Sequence, residues 1–160
     1  METGEWPADR FEEHRAHLRM VAYRILGSAS EADDAVQETW IRLNRTNTSD
    51  IDNLRGWLTT VTAHLCLDML RARTLRREDS IEDAPEPTAF PDATEDYDLA
   101  DDVGLALLVV LDKLDPAERV AFVLHVVCAM PFDEIAPIVG RSTVAARQLA
   151  SRARRRVQGA

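Results

Sequence analysis

The sequence predicts an all-α protein: two small helical domains, residues 7–78 and 99–158, joined by an acidic, proline-containing linker at 79–98. Three observations carry this expectation. Apolar residues recur at three- and four-residue spacing in successive stretches that Gly, Ser, Asp or Pro punctuate. That periodicity breaks between Glu78 and Asp98, where Pro85, Pro87 and Pro91 interrupt a run of mostly acidic or small residues. Beyond the break, Phe132 to Val157 reads as a short apolar helix, a Gly turn and a longer basic helix. With 46% hydrophobic residues in 160, the chain can fill a core, as one domain or as two small helical ones.

The first helix is expected over Asp9 to Leu26, with Phe11, Leu18, Val21, Ala22, Ile25 and Leu26 as its stripe and Gly27 as its stop. Ser28 or Ser30 caps a second helix, Glu31 to Leu43, whose inner face is Ala32, Val36, Trp40 and Leu43. Its opposite face shows Asp34, Gln37, Glu38 and Arg42, which by periodicity alone is a solvated surface. Arg45 to Asn53 is a polar loop. A third helix follows from Leu54 to Arg77, with Trp57, Leu58, Val61, Leu65, Met69 and Leu70 apolar and Arg71, Arg73, Arg76 and Arg77 at its basic end. Trp40 and Trp57 are then available to the core of a three-helix bundle, base stacking being the other reading of Trp57. About 17 residues of the linker, extended at ~3.3 Å each, reach roughly 55 Å, and the linker's charge avoids DNA. Such a segment suits a basic channel or the chain's own basic helix.

Leu99 to Leu114 is nearly apolar all round in its middle, which indicates burial among other helices. Asp115-Pro116-Ala117-Glu118 is a helix start with Pro at N1 and Glu at N3, opening a helix to about Met130 with Val120, Val123, Leu124 and Val127 inward. In the last pair Ile135 and Val139 share a face, Ala136 permits close packing, Pro137 falls early enough that its missing N–H costs little, and Gly140 supplies positive φ. Ser142 caps the basic helix. There Val144, Leu149, Ala153 and Val157 are assigned inward, and Arg147, Gln148, Ser151, Arg152, Arg154 and Arg155 outward. This is a helix-turn-helix whose second element suits the major groove. An ordinary helical pair with a solvated basic face is the alternative.

The net charge of −9 conceals an asymmetry. Residues 1–77 carry 11 basic and 12 acidic side chains, residues 78–118 carry 1 and 14, and residues 119–160 carry 7 and 2. The overall acidity therefore does not exclude a nucleic-acid partner for the C-terminal part. No apolar stretch reaches ~18 residues and no apolar segment follows Met1, so neither a membrane span nor a signal peptide is expected, and the expected location is cytoplasmic. Cys66 and Cys128 stand alone in helical patterns and are expected as buried thiols. His14, His17, His64 and His125 are scattered without a metal or catalytic cluster. No carboxylate pair, nucleophile with a base, or Gly-rich phosphate loop appears, so neither an enzyme nor a cofactor is indicated.

Six segments, Ala22–Ser28, Ala32–Trp40, Trp57–Val61, Leu67–Arg71, Leu114–Arg119 and Phe132–Ala136, together resemble the bacterial extracytoplasmic-function (group IV) sigma factors of RNA polymerase. They lie in family order and cover nearly all of the chain outside the linker. The wording around Ala22 to Ser28, Pro85-Glu86-Pro87, and Arg147 to Arg154 further resembles the subgroup with a SnoaL-like C-terminal extension. The chain ends at Ala160, so the expectation is a protein lacking that extension or one shortened before it.

The resemblance implies a promoter-specificity subunit whose partners are core RNA polymerase, through its clamp helices and flap, and promoter DNA. An anti-sigma factor or the C-terminal extension would regulate it. Asp34, Gln37, Glu38 and Arg42 would then meet polymerase. The loop around Thr46 to Asn53, with Asn53, His64, Asp68 and Arg71, would take unpaired minus-ten bases, and Arg73, Arg76 and Arg77 would hold phosphates. His64 stands where many relatives have Asn, so base preference does not carry over. Arg141, Thr143, Arg147, Gln148, Ser151, Arg152 and Arg154 would read or clamp the minus-thirty-five element. The acidic linker would thread the polymerase cleft. A stand-alone helix-turn-helix regulator accounts for Phe132 to Val157 but not for the N-terminal bundle; a helical adaptor with a merely solvated basic helix is the other alternative.

Overall fold

The computed structural model describes residues 6–79 and 102–159, which form seven α-helices and one 3-10 turn. The helices are α1 (Trp6–Leu26), α2 (Ala29–Arg45), α3 (Leu54–Asp79), α4 (Asp102–Leu111), α5 (Pro116–Val126), α6 (Phe132–Val139) and α7 (Thr143–Gln158). Most of the expected linker, with its three prolines, and the expected start of the fourth helix lie outside the described residues.

Local chemistry sets most boundaries. Gly27 ends α1 at φ 72°, and the Ser28 hydroxyl accepts from the Glu31 N–H to start α2. Asn53 Oδ1 accepts the Gly56 N–H at the head of α3. A Cβ on Gly56 would stand 2.7 Å from Asn53 Nδ2, so the missing side chain makes room for this cap. The polar loop contains the 3-10 turn Thr48–Asp50, tied by Asn47 Oδ1, which accepts from the Ser49 N–H and hydroxyl. Asp115 and Glu118 form the expected capping box with Pro116 inside it. Gly140 at φ 70° and the Ser142 cap, bonded by the Ala145 N–H at 3.1 Å, make the turn of the helix pair.

Three expectations are corrected. The fourth helix stops at Leu111 rather than Leu114, its end folding into a turn closed by Leu114 N–H to Leu111 C=O. The fifth ends at Val126 rather than Met130, because Ala129 takes positive φ (53°) and the Met130 N–H returns to the Leu124 carbonyl. Alanine thus takes a left-handed conformation that normally selects glycine, two residues beyond the C-cap Val127. Pro137 is the sixth residue of α6, beyond the first turn, so its missing N–H does remove a bond from the helix interior. Pro137 and Asp133, whose carbonyl would have received that bond, are both exposed residues.

The two halves pack together. One continuous apolar cluster contains Val21, Ile25 and Leu26 of α1, Ala63, Cys66, Leu67 and Leu70 of α3, and Leu108, Leu111, Val120, Leu124, Ile135, Val139, Leu149 and Ala153 of α4–α7. A second cluster, Phe11, Leu18, Val36, Leu43, Leu54 and Leu58, belongs to the N-terminal bundle alone, with Trp40 and Trp57 partly buried against it. Phe11 and Trp40 meet there at 5.2 Å between ring centroids. Helix α5 lies between the halves, and its residues Ala117 to Leu124 are buried without interruption. A helix buried on every side needs neighbours on every side; α1 and α3 flank it on one, α6 and α7 on the other.

Candidate nucleic-acid interface

The basic helix α7 turns Ala146, Leu149, Ala150 and Ala153 into the core and leaves Thr143, Arg147, Gln148, Ser151, Arg152 and Arg154 exposed, with Arg141 exposed in the preceding turn. These seven candidate residues therefore share one accessible region. Val144 is a correction: instead of packing inward it is 63% exposed on the same side as Gln148 and Ser151. Apart from Leu149 the inward row is alanine, whose small side chain suits the packing of α7 against α5 and α6. Arg147 is held in place. Its guanidinium lies 5.3 Å from the centroid of the Phe132 ring, Phe132 stacks on His125 at 4.2 Å, and His125 Nδ1 lies 3.3 Å from the Met130 carbonyl.

In the N-terminal domain His64, Asp68 and Arg71 are exposed at spacings of four and three on α3, forming one row along that helix. Arg76 and Arg77 are also exposed, and Asn53 lies at the head of α3 with its amide oxygen already used as a cap. Arg73 is again a correction. Its side chain, 17% exposed, turns to the opposite side, where Nη2 donates to the Leu26 carbonyl at 3.1 Å and to Glu31 Oε1 at 2.7 Å. The negative end of α1 holds this guanidinium, so it is not free to clamp a phosphate. On α2 Asp34, Gln37 and Arg42 are exposed and Glu38 is half-exposed, 3.6 Å from Arg42.

Sequence reasoning missed Arg119. It is 2% exposed; Nη1 donates to Asp112 Oδ1 at 2.7 Å, and Nε and Nη2 donate to the Arg24 carbonyl at 3.3 and 3.1 Å. Burial lowers the affinity of this guanidinium for its proton, and Asp112 opposes that shift. A Cβ on Gly27 would stand 3.1 Å from Arg119 Nη2, so this glycine serves both the positive-φ stop and the close approach. Arg73 and Arg119 thus converge on the end of α1 from opposite halves of the chain. Glu118, 1% exposed, accepts from the Asp115 N–H and from Arg156 Nη1, tying α5 to the far end of α7. The available signal was a cation and a carboxylate standing inside an otherwise apolar helix.

A second polar group also went unread. His17 Nε2 lies 3.0 Å from Thr59 Oγ1, whose hydroxyl donates to the Arg55 carbonyl. Thr59 must then accept from Nε2–H, leaving the Nδ1 lone pair for Arg55 Nη2 at 3.1 Å. Burial first, and then Arg55, hold the proton affinities of both His14 and His17 below the usual histidine value. Among the described residues no group of three or more His, Cys, Asp or Glu could hold a metal, and no helix is long and apolar enough to cross a membrane. Cys66 is buried and Cys128 half-buried; burial pushes the Cys128 thiol up to about 11.

Residues 10–76 match the family model of sigma-70 region 2, and residues 104–157 that of sigma-70 region 4. CarQ of Myxococcus xanthus, an RNA polymerase sigma factor, is 30% identical over 90% of this chain and 82% of its own length. The chain belongs to the extracytoplasmic-function sigma factors. Another relative in this family, SigJ of Mycobacterium tuberculosis, is 47% identical over 92% of this chain but 48% of its own length. This sigma chain therefore spans about half of SigJ. The crystal structure of SigJ superposes with a TM-score of 0.65 at 40% identity, covering 98% of this chain and 53% of that one. RpoE of Bartonella quintana, crystallised with the anti-sigma factor NepR, gives 0.71 at 23% identity over 97% and 96% of the two chains and shows the shared fold. In family terms α1–α3 are region 2 and α4–α7 are region 4.

Proposed function

We propose that this sigma factor binds core RNA polymerase and directs promoter-specific initiation. In this reading α2 meets polymerase through Asp34, Gln37, Glu38 and Arg42. The exposed row of α3, with Asn53 and the Thr46 to Asn53 loop, takes unpaired minus-ten bases while Arg76 and Arg77 hold phosphate, and α7 enters the major groove of the minus-thirty-five element. The observation that carries it is the pair of accessible polar rows, one on α3 and one on α7, each on a helix whose opposite face is fixed in the core. Short polar side chains and Arg suit extruded bases and backbone, and Arg and Gln suit paired base edges. The acidic linker 79–98 threads the polymerase cleft, and an anti-sigma factor or a C-terminal extension supplies regulation.

The packed arrangement then belongs to the protein away from promoter DNA. A compact chain of this length has a radius of gyration of roughly 15 Å. Elements some 25 base pairs apart are separated by about 85 Å of B-form DNA at ~3.4 Å per pair. Region 2 and region 4 must part to occupy both, which separates the shared core and withdraws Arg119 from Arg24.

The test is transcription from genomic fragments by core RNA polymerase with and without the purified chain. Promoter-selective starts that need the chain are expected. A chain that neither joins core polymerase nor changes its start sites would sink the proposal.

A further inference from the structure

Val144 is a β-branched apolar residue in the first turn of α7, and among the described residues it is the most exposed of the large hydrophobic side chains. At 3.6 residues per turn, Val144, Gln148, Ser151 and Arg155 point directly away from Ala146, Leu149, Ala150 and Ala153. Val144 therefore contributes nothing to the core, and an exposed valine is a weaker helix former than alanine. Its neighbours along the outer row carry hydrogen-bonding groups or charge; Val144 carries neither. It sits at the N-terminal end of the second helix of a helix-turn-helix, the end that such modules direct to base edges.

We propose that Val144 is a specificity-determining residue that packs against the C5-methyl group of one thymine in the upstream promoter element. This rests on the reading of α7 as the major-groove helix. A stiff side chain without polar atoms can discriminate only an apolar feature, and in the major groove the distinguishing apolar feature of a base pair is the thymine methyl. Gln148, one turn along the same row, and Arg147, beside it, reach adjoining base edges, so the methyl contact fixes which pair lies under the first turn of α7. The contact favours thymine over cytosine in the same strand, where a methyl is replaced by hydrogen.

The experiment uses holoenzyme reconstituted from the full chain and core RNA polymerase. Its probe is a promoter duplex recovered by selection from genomic fragments with that holoenzyme. Each thymine of the upstream element is replaced in turn by deoxyuridine, which removes only the methyl. Wild type should lose about fourfold in affinity at one position, the equivalent of one buried methyl group. Val144→Ala should bind the unmodified duplex about fourfold more weakly and be indifferent to uracil at that position. Restoring a methyl at the same place with 5-methylcytosine in a thymine-to-cytosine variant should recover part of the wild-type affinity and none of the Val144→Ala affinity. If no uracil replacement distinguishes wild type from Val144→Ala while Arg147→Ala and Gln148→Ala still weaken binding, the methyl contact is overturned and the groove reading survives. If Arg147→Ala and Gln148→Ala are also without effect, the groove reading falls with it.

Discussion

Region 2 possesses a core that region 4 does not share, whereas the main core of region 4 is the cluster it forms together with region 2. Phe11, Leu18, Val36, Leu43, Leu54 and Leu58 stay packed if the halves part, but Val120, Leu124, Ile135, Val139, Leu149 and Ala153 share their cluster with α1 and α3. The difference teaches where the molecule is built to change. If the seam opens as proposed, region 2 can act as a fixed platform while region 4 is the part whose environment alters, and the buried cation that bridges them belongs to region 4.

The largest effect expected is from Arg119→Ala, which leaves the Arg24 carbonyl without its donors and Asp112 without its partner. The loss should be about 3 kcal/mol, the low end for breaking a buried pair because Asp112 is half-exposed and rehydrates. All three tryptophans, Trp6, Trp40 and Trp57, lie in region 2, so urea unfolding followed by fluorescence reports that half, while far-ultraviolet circular dichroism reports both. The two curves should coincide in wild type and separate in Arg119→Ala. Coincident curves in the variant would refute the bridging role.

Arg73→Ala comes next. It should cost about 1.5–3 kcal/mol, as expected for hydrogen bonds to a charged group, with little change in promoter affinity at saturating protein. Arg71→Ala, on the outward row of the same helix, should do the reverse. A promoter-binding loss for Arg73→Ala matching that of Arg71→Ala would return Arg73 to the DNA surface.

Ala129→Gly should raise stability by about 1 kcal/mol, since glycine takes the positive φ of 53° without the Cβ penalty. The gain should appear as a higher midpoint of the single urea transition and vanish if the α5–α6 corner has a different backbone.

The smallest effect is on pH dependence and falls on region 2. His14 and His17 have folded proton affinities below the unfolded value of 6.5, so the unfolded chain binds the extra protons as the medium acidifies. Their stabilising contribution is complete above pH 6.5 and declines as pH falls through the folded values. A double His14→Gln, His17→Gln variant should flatten the fluorescence-detected stability over that range. An unchanged slope would show that other groups set it.

The capping groups were legible because their causes are local. Ser28, Ser142, Gly27, Gly140 and the Asp115–Glu118 box depend on φ and on hydrogen bonds a few residues away, and the helix-turn-helix follows from them. Ala129 escaped because its positive φ comes from the corner that packing imposes, not from a residue that prefers it. The outer face of α7 was legible from its periodicity, which is why Arg147, Gln148 and Ser151 are exposed as expected, whereas His64, Asp68 and Arg71, also exposed, were named only through the family resemblance.

By itself, then, the sequence determined the helices and many of their ends, since each is written in spacing and local chemistry, while the family came from the resemblance of six segments. Tertiary structure decided the sides. The inner row of α7 is largely alanine, too small to outweigh valine in an apolar pattern, so only the packed neighbours show that Ala146 and Ala150 face in and Val144 faces out. Between Ala117 and Leu124 helix α5 has no outer face from which to read a direction, and Arg73 and Arg119 have long, flexible side chains. What fixes those two guanidiniums is the carbonyl-bearing end of α1, brought to them by a fold that joins segments 47 and 95 residues apart.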